Sequence, residues 1–279
     1  MDQGVKVDSH QNQMGDRRPT VPNKRNVAGF EVKLVTPLGP IRGRVAIDTG
    51  PMGLVDLVHT AYELTNILVE RAAKREVKAG RRISCGPKCG VCCCQMVPLS
   101  PPEAFYLVGL LDSLDNSHRQ VLLARFEAMV TELKRRNMVE ELLAPDYSDE
   151  KGLAIAKEYF RLQMPCPFLV EDSCSIHRNR PVACREYNVT SPPELCAEAG
   201  SLSSEIVKVP MPLPLSAPLA RITANLTGTK ARLIPLILAP IWAREQEELR
   251  KLQWPGVELF QAFMEEVGKV AATKAGKKS

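Results

Sequence analysis

Cys85-Gly86-Pro87-Lys88-Cys89-Gly90-Val91-Cys92-Cys93-Cys94 places five cysteines within ten residues of this 279-residue chain. Four more cysteines, Cys166, Cys174, Cys184 and Cys196, follow after a long interval and bring the total to nine. Thiols this closely spaced are poor fillers for a dispersed apolar core and good candidate ligands. Zinc and iron–sulfur sites hold three or four thiolates about 2.3 Å from the metal. Short glycine-bearing loops let the backbone curl around an ion. Gly86 and Gly90 are expected to supply positive φ, and Pro87 to stiffen the first gap. The run Cys92-Cys93-Cys94 adds a constraint, because neighbours on an extended backbone point to opposite sides. Either two centres flank this segment, or one or two of its thiols are spare. Eight ligands would fill two four-cysteine centres, and four would fill one.

The second region suggests how its thiols converge. Phe168–Val170 and Cys174–His177 are expected to form a small hairpin around Glu171, Asp172 and Ser173, with Cys166 and Cys174 near its open end. Cys184 would return on the next helical turn, flanked by Arg180 and Arg185. Four thiolates around a divalent ion carry net negative charge, and guanidinium groups beside them favour the thiolate form. Arg180 and Arg185 are therefore candidate cofactor-binding residues. His177 could ligate but reads better as a polar hairpin residue. His10, His59 and His118 have no partner at a metal-ligand spacing. Asp172, Glu186 and Glu194 lie near the cysteines in sequence without a motif that marks them.

Working outward, Phe30–Thr36 and Ile41–Ile47 alternate apolar and polar residues about Pro37-Leu38-Gly39-Pro40, a β-hairpin signature. Leu54–Lys78 has apolar residues at helical spacing, a basic end and a stop at Gly80. Its cations compensate nearby thiolates in this reading, rather than nucleic acid. Ser100-Pro101-Pro102-Glu103 is a capping box that opens a helix to about Leu114. Further helices are expected over 117–136, with Val121 on the apolar side, and over 148–161. Ser191-Pro192-Pro193-Glu194 repeats the capping string. A short strand is expected at Ile206–Val209, then an extended proline connection through Pro210, Pro212, Pro214 and Pro218. Helices return near 230–235, 240–253 and 257–270, with Trp242 and Trp254 packing between them. The tail 274–279 reads as frayed.

Composition restricts the class. Hydrophobic content of 44% and charged content of 25% are ordinary for a globular protein. Aromatics at 5% supply no stacking surface for nucleic acid, and a net charge of +5 is too mild to imply it. No apolar stretch approaches the ~20 residues that span a bilayer. The N-terminus is polar and reads as a disordered leader without a secretory apolar region. The expected location is the cytoplasm, where thiols stay reduced.

Together, Cys89-Gly90-Val91-Cys92-Cys93, Cys166-Pro167-Phe168-Leu169, Cys174-Ser175-Ile176-His177, Arg180-Pro181 and Cys184-Arg185 resemble the YkgJ-like CxxCxxCC cysteine-cluster family. That bacterial family is described as zinc- or iron-chelating, with eight recurring cysteines, and a related domain occurs in a flagellin lysine methylase. The resemblance implies Cys85, Cys89, Cys92, Cys93, Cys166, Cys174, Cys184 and Cys196 as ligands. Two departures stand out: the first gap is three residues rather than two, and Cys94 is additional.

The expected fold is mainly α with a small N-terminal β-hairpin and an irregular cysteine-rich metal-binding knot between helices. Its parts are a leader over 1–29, a hairpin and cysteine-cluster domain over 30–205, and a proline-rich connection with helices over 206–279. The first functional reading is a zinc- or iron-binding protein, the iron present as an ion or an iron–sulfur cluster. The second is an iron–sulfur enzyme of methyl transfer or redox chemistry. A radical-type cluster is disfavoured because repeated strand–helix units do not follow Cys92. A thioredoxin-type pair is disfavoured by the extra cysteines.

Overall fold

In the computed structural model, which describes residues 27–144, 149–199 and 205–276, alternation at the N-terminus becomes an antiparallel ribbon. Strand β1 (Val27–Thr36) pairs with β2 (Gly39–Asp48), with Leu34 opposite Ile41 and Thr36 opposite Gly39. The turn is two residues rather than the expected four, because Gly39 and Pro40 already pair. Thr36 Oγ1 closes it by donating to Gly39 O (2.7 Å) and accepting the Leu38 N–H (3.2 Å). Strand β1 begins inside the expected leader, whose residues 1–26 lie outside the described residues.

A short strand β3 (Pro51–Gly53) and a 3₁₀ turn over Leu54–Asp56 precede α1 (Leu57–Lys78). The Asp56 carboxylate accepts the Gly53 N–H at 2.7 Å, which delays the start of the α-helix by one turn. Leu57, Val58, Ala61, Leu64 and Leu68 are buried as their spacing implies, and Gly80 ends the run at φ +75°. The chain then forms a 3₁₀ turn at Val91–Cys94, β4 (Pro98–Leu99), α2 (Pro101–Asp112) and α3 (Asn116–Arg135). Asp115 caps α3 through the His118 N–H. Val121 does not join the apolar face of α3 and is 54% exposed. Two more helices, α4 (Val139–Leu143) and α5 (Asp149–Arg161), complete this half.

The second cysteine region consists of β5 (Leu169–Val170), β6 (Ser173–Cys174), a 3₁₀ turn at His177–Asn179, α6 (Val182–Glu186) and α7 (Glu194–Ala199). Several expectations beyond it need correction. The repeated capping string does not open a helix at Pro192; α7 starts at Glu194, and Ser191 Oγ accepts the Val207 N–H instead (3.2 Å). Ile206–Val209 is a single bridge, Val189 to Lys208, rather than a strand. The proline connection ends in α8 (Ser216–Thr227). Pro218 fits that helix because first-turn N–H groups have no intrahelical acceptor. Residues 230–235 are not helical; they lead into β7 (Ile234–Pro235), which pairs with β4. The helix expected over 240–253 divides into α9 (Ala239–Glu245) and α10 (Glu247–Lys251). Strand β8 (Gln253–Pro255) pairs with β3, and α11 (Gly256–Gly276) closes the chain.

Four apolar clusters hold these elements, the smallest around Val189, Cys196 and Ile206. The first joins the hairpin, α1, α8 and α11 through Leu34, Ile41, Leu68, Leu219 and Phe263, and Phe30 stacks on Phe260 at 5.4 Å. It crosses the expected boundary at residues 205 and 206. The second gathers α2, α3 and α9 with Phe168 and Ile176, where Trp242 stacks on Phe105 at 5.2 Å. The third lies between α3, α4, α5 and Ile237-Leu238. Among the described residues, no helix is long and apolar enough to cross a membrane.

Candidate metal centre

Four chain segments bring the thiols to one region. In the first loop, the Cys89 N–H donates to Gly86 O (3.2 Å) and the Cys93 N–H to Gly90 O (2.9 Å). The run Cys92-Cys93-Cys94 is not extended but 3₁₀, so adjacent side chains fan out by about 120° instead of pointing oppositely. Gly86 and Gly90 do not supply the left-handed backbone; Lys88 does, at φ +60°. Gly90 answers a different need. A Cβ there would stand 2.6 Å from Leu169 Cδ1 and 3.1 Å from Asp172 O, so only glycine lets the loop dock on the β5–β6 hairpin.

That hairpin is tighter than expected. Leu169 pairs with Cys174, and Glu171 and Asp172 form a two-residue turn with φ of +48° and +59°. The Cys166 N–H donates to Cys93 O (2.7 Å), pinning the second region to the first. Helix α6, which carries Cys184, is held from outside the cysteine region. The Glu103 carboxylate accepts the Val182 N–H (2.7 Å), the Ser100 N–H (3.0 Å) and the Ser100 hydroxyl (2.7 Å). The glutamate of the capping box thus ties the start of α2 to the start of α6. On the far side, α7 packs Cys196 on Val91, Val189 and Ile206.

All nine thiols are free. Burial is the main cause that raises the Cys166 thiol, to about 12, and it lifts Cys184 well above its ordinary value. Cys174, Cys85 and Cys196 are raised mainly by burial as well. Cys92 is raised first by its hydrogen bond with Cys93 and then by burial. Several contacts pull the other way. Backbone N–H groups of Phe168, Ile176 and Val189 point at the sulfurs of Cys166, Cys174 and Cys85 and favour their thiolates. The last of these is 3.4 Å long. Tyr187 reaches Cys196 Sγ at 3.9 Å.

The two candidate arginines part company. Arg180 is half-buried, and its charge favours the thiolates of Cys92, Cys174 and Cys184. Its Nε is buried without a hydrogen-bond partner. Arg185 instead braces the fold. It donates to Arg180 O (2.7 Å), Asn66 Oδ1 (2.8 Å) and Arg178 O, and stacks 4.2 Å over the Tyr62 ring. His177 is exposed, and Arg180 foremost, then burial, lowers its pKa. His59 packs edge-on against Tyr106, and His118 pairs with Asp115. Glu186 accepts the Leu215 N–H at 2.6 Å.

Sequence reasoning passed over Glu103 as a brace for Cys184, and over Tyr187 and Lys208 beside Cys196. Lys208 lies 5.7 Å over the Tyr187 ring, and its charge favours the Cys196 thiolate. The capping box was the only signal for Glu103.

The Val189 N–H directed at Cys85 sulfur and the buried, unpartnered Nε of Arg180 are the polar features beside these thiols. Among the described residues, no three His, Cys, Asp or Glu side chains make a group that could hold a metal ion as they stand. A cavity of about 10 Å³ lies beside Cys93, Cys166 and Tyr159, room for about one water. No family model, curated protein or solved structure matches this chain.

Proposed function

We propose that this protein binds zinc or iron, the iron as an ion or an iron–sulfur cluster, through its two cysteine groups, in the manner of the YkgJ-like CxxCxxCC proteins. The observation that carries the reading is the Arg180 guanidinium, whose charge acts on thiols from two distant segments while its buried Nε lacks a partner. A positive charge so placed is poorly matched to neutral thiols and well matched to metal thiolates.

Cys92, Cys174 and Cys184 are the thiols this charge acts on, and together with Cys85, Cys89, Cys93, Cys166 and Cys196 they would hold the metal. A bound ion would supply a cross-link between chain segments far apart in sequence, stabilising the fold by constraining the open chain. The thiols must close in from their present spacing, and each gives up its proton to solvent as it ligates.

Metal and acid-labile sulfide analysis with an absorption spectrum, on full-length protein purified without oxygen, tests this. Zinc in a colourless solution, or iron with a visible chromophore, is the expected result. Cys184→Ser should lower the metal content. Folded wild-type protein that neither carries nor takes up zinc or iron would overturn the reading.

A further inference from the structure

We infer that the outer face of the β1–β2 hairpin docks in the major groove of duplex DNA, with the basic end of α1 beside it on the phosphates. None of its residues belongs to the two cysteine groups, so the inference does not rest on the metal-binding reading.

The ribbon has two unlike faces. Phe30, Val32, Leu34, Ile41, Val45 and Ile47 turn into the core shared with α1 and α11. Glu31, Lys33, Val35, Arg42 and Arg44 are exposed on the other face. The register sets Glu31 opposite Arg44 and Lys33 directly opposite Arg42. Glu31 and Arg44 offset each other at 3.1 Å. Lys33 and Arg42 repel across the ladder, where like charges destabilise a sheet. An anion laid over the ribbon removes that penalty.

Helix α1 continues the charge. Arg71 reaches the hairpin and donates to Pro40 O at 2.9 Å. Lys74 and Lys78 follow on the same face of the helix, at successive helical spacings. These cations are engaged away from the thiols: Lys74 pairs with Glu70, and Arg75 and Arg81 with Glu76. Among the described residues, Lys33, Arg42, Arg71 and Lys78 make no ion pair. The net charge of +5 over the whole chain conceals this concentration.

Shape and chemistry select the partner. The exposed hairpin residues include no aromatic side chain to anchor a protein interface or a membrane surface. A two-stranded ribbon fits the major groove, about 12 Å wide, where arginine reads guanine through paired hydrogen bonds. Arg42 and Arg44 lie two residues apart on one strand face, about 7 Å along it, so both can enter the groove. Cations on the flanking helix then meet the backbone and set the register.

The test is fluorescence anisotropy of full-length protein with a labelled DNA duplex of about 20 base pairs, from about 50 mM salt upward. Wild type should bind, with affinity falling steeply as salt rises. The double variant Lys33→Gln, Arg42→Gln should bind at least about tenfold more weakly. Lys78→Gln should reduce the salt slope by about one. Lys157→Gln, exposed on α5, should bind as wild type does. Duplex RNA should bind more weakly than DNA, because its major groove is too deep and narrow for side chains. Wild type that binds no duplex, or binds polyglutamate or anionic vesicles instead, would overturn the inference. So would a double variant with wild-type affinity, or duplex RNA bound as tightly as DNA. The wild-type comparison and Lys78→Gln decide the matter even if the hairpin variant does not fold.

Discussion

The hairpin–α1–α8–α11 core and the cysteine region are held together by different physics. In the first, long elements bury complementary apolar faces; Leu57, Val58, Leu68, Leu219, Phe263 and Val267 are almost wholly enclosed. In the second, strands of two residues and helices of five or six cannot sustain themselves. Among the described residues, the apolar cluster around Cys196 buries Val189, Cys196 and Ile206 alone. That region is positioned by a few anchors buried in the larger cores, Phe168, Ile176 and Val182, and by single hydrogen bonds such as Cys166 N–H to Cys93 O and Val182 N–H to Glu103. One region carries its own stability, and the other borrows a frame and has thiols available to cross-link it.

This contrast can be broken at either end. Phe263→Ala should have the largest effect, about 3–5 kcal/mol, because it empties the enclosed face of α11. A denaturant midpoint shift with metal content per folded molecule unchanged would confirm that the core acts independently of the thiols. Glu103→Ala comes next, at about 2–3 kcal/mol, because it strands the buried Val182 and Ser100 donors. Unlike Phe263→Ala it should also weaken metal uptake, since α6 carries Cys184; an unchanged affinity would show that α6 needs no such brace.

Gly90→Ala should cost about 1–3 kcal/mol by forcing the first loop off the hairpin. Its signature is local: faster amide exchange at Cys166, with the α1 and α11 amides unaffected. Glu76→Gln should be the mildest. Hydrogen bonds from Arg81, then Arg75, hold the Glu76 carboxyl below its ordinary value of 4.5. The folded state therefore binds fewer protons than the unfolded one, and the stabilisation is present above about pH 4.5 and lost as pH falls through the lowered value. Wild type and variant should differ in thermal midpoint at pH 7 and converge in acid. A gap that persists at low pH would contradict the ion-pair account.

The same contrast explains what the sequence disclosed. Periodicity revealed β1, β2, α1 and α3, because each buries one face against a large core. It hid α8, since Pro218 looks like a breaker unless the first turn is known to begin at Ser216. Identical strings at residues 100–103 and 191–194 behave differently because tertiary context decides. Glu103 is buried against Val182, whereas Glu194 is exposed. Thiol spacing exposed the cysteine groups and Arg180. Arg185 adjoins Cys184 in sequence, yet it turns to backbone carbonyls and Tyr62. Lys208 reaches the site only through its bridge to Val189, a pairing no local pattern encodes.

The most direct test of the central claim is the reaction rate of the nine thiols in native full-length protein, with and without a strong chelator. A metal-thiolate centre predicts most thiols protected at first and released together on chelation. Nine thiols that react at the same rates whether or not chelator is present would contradict it.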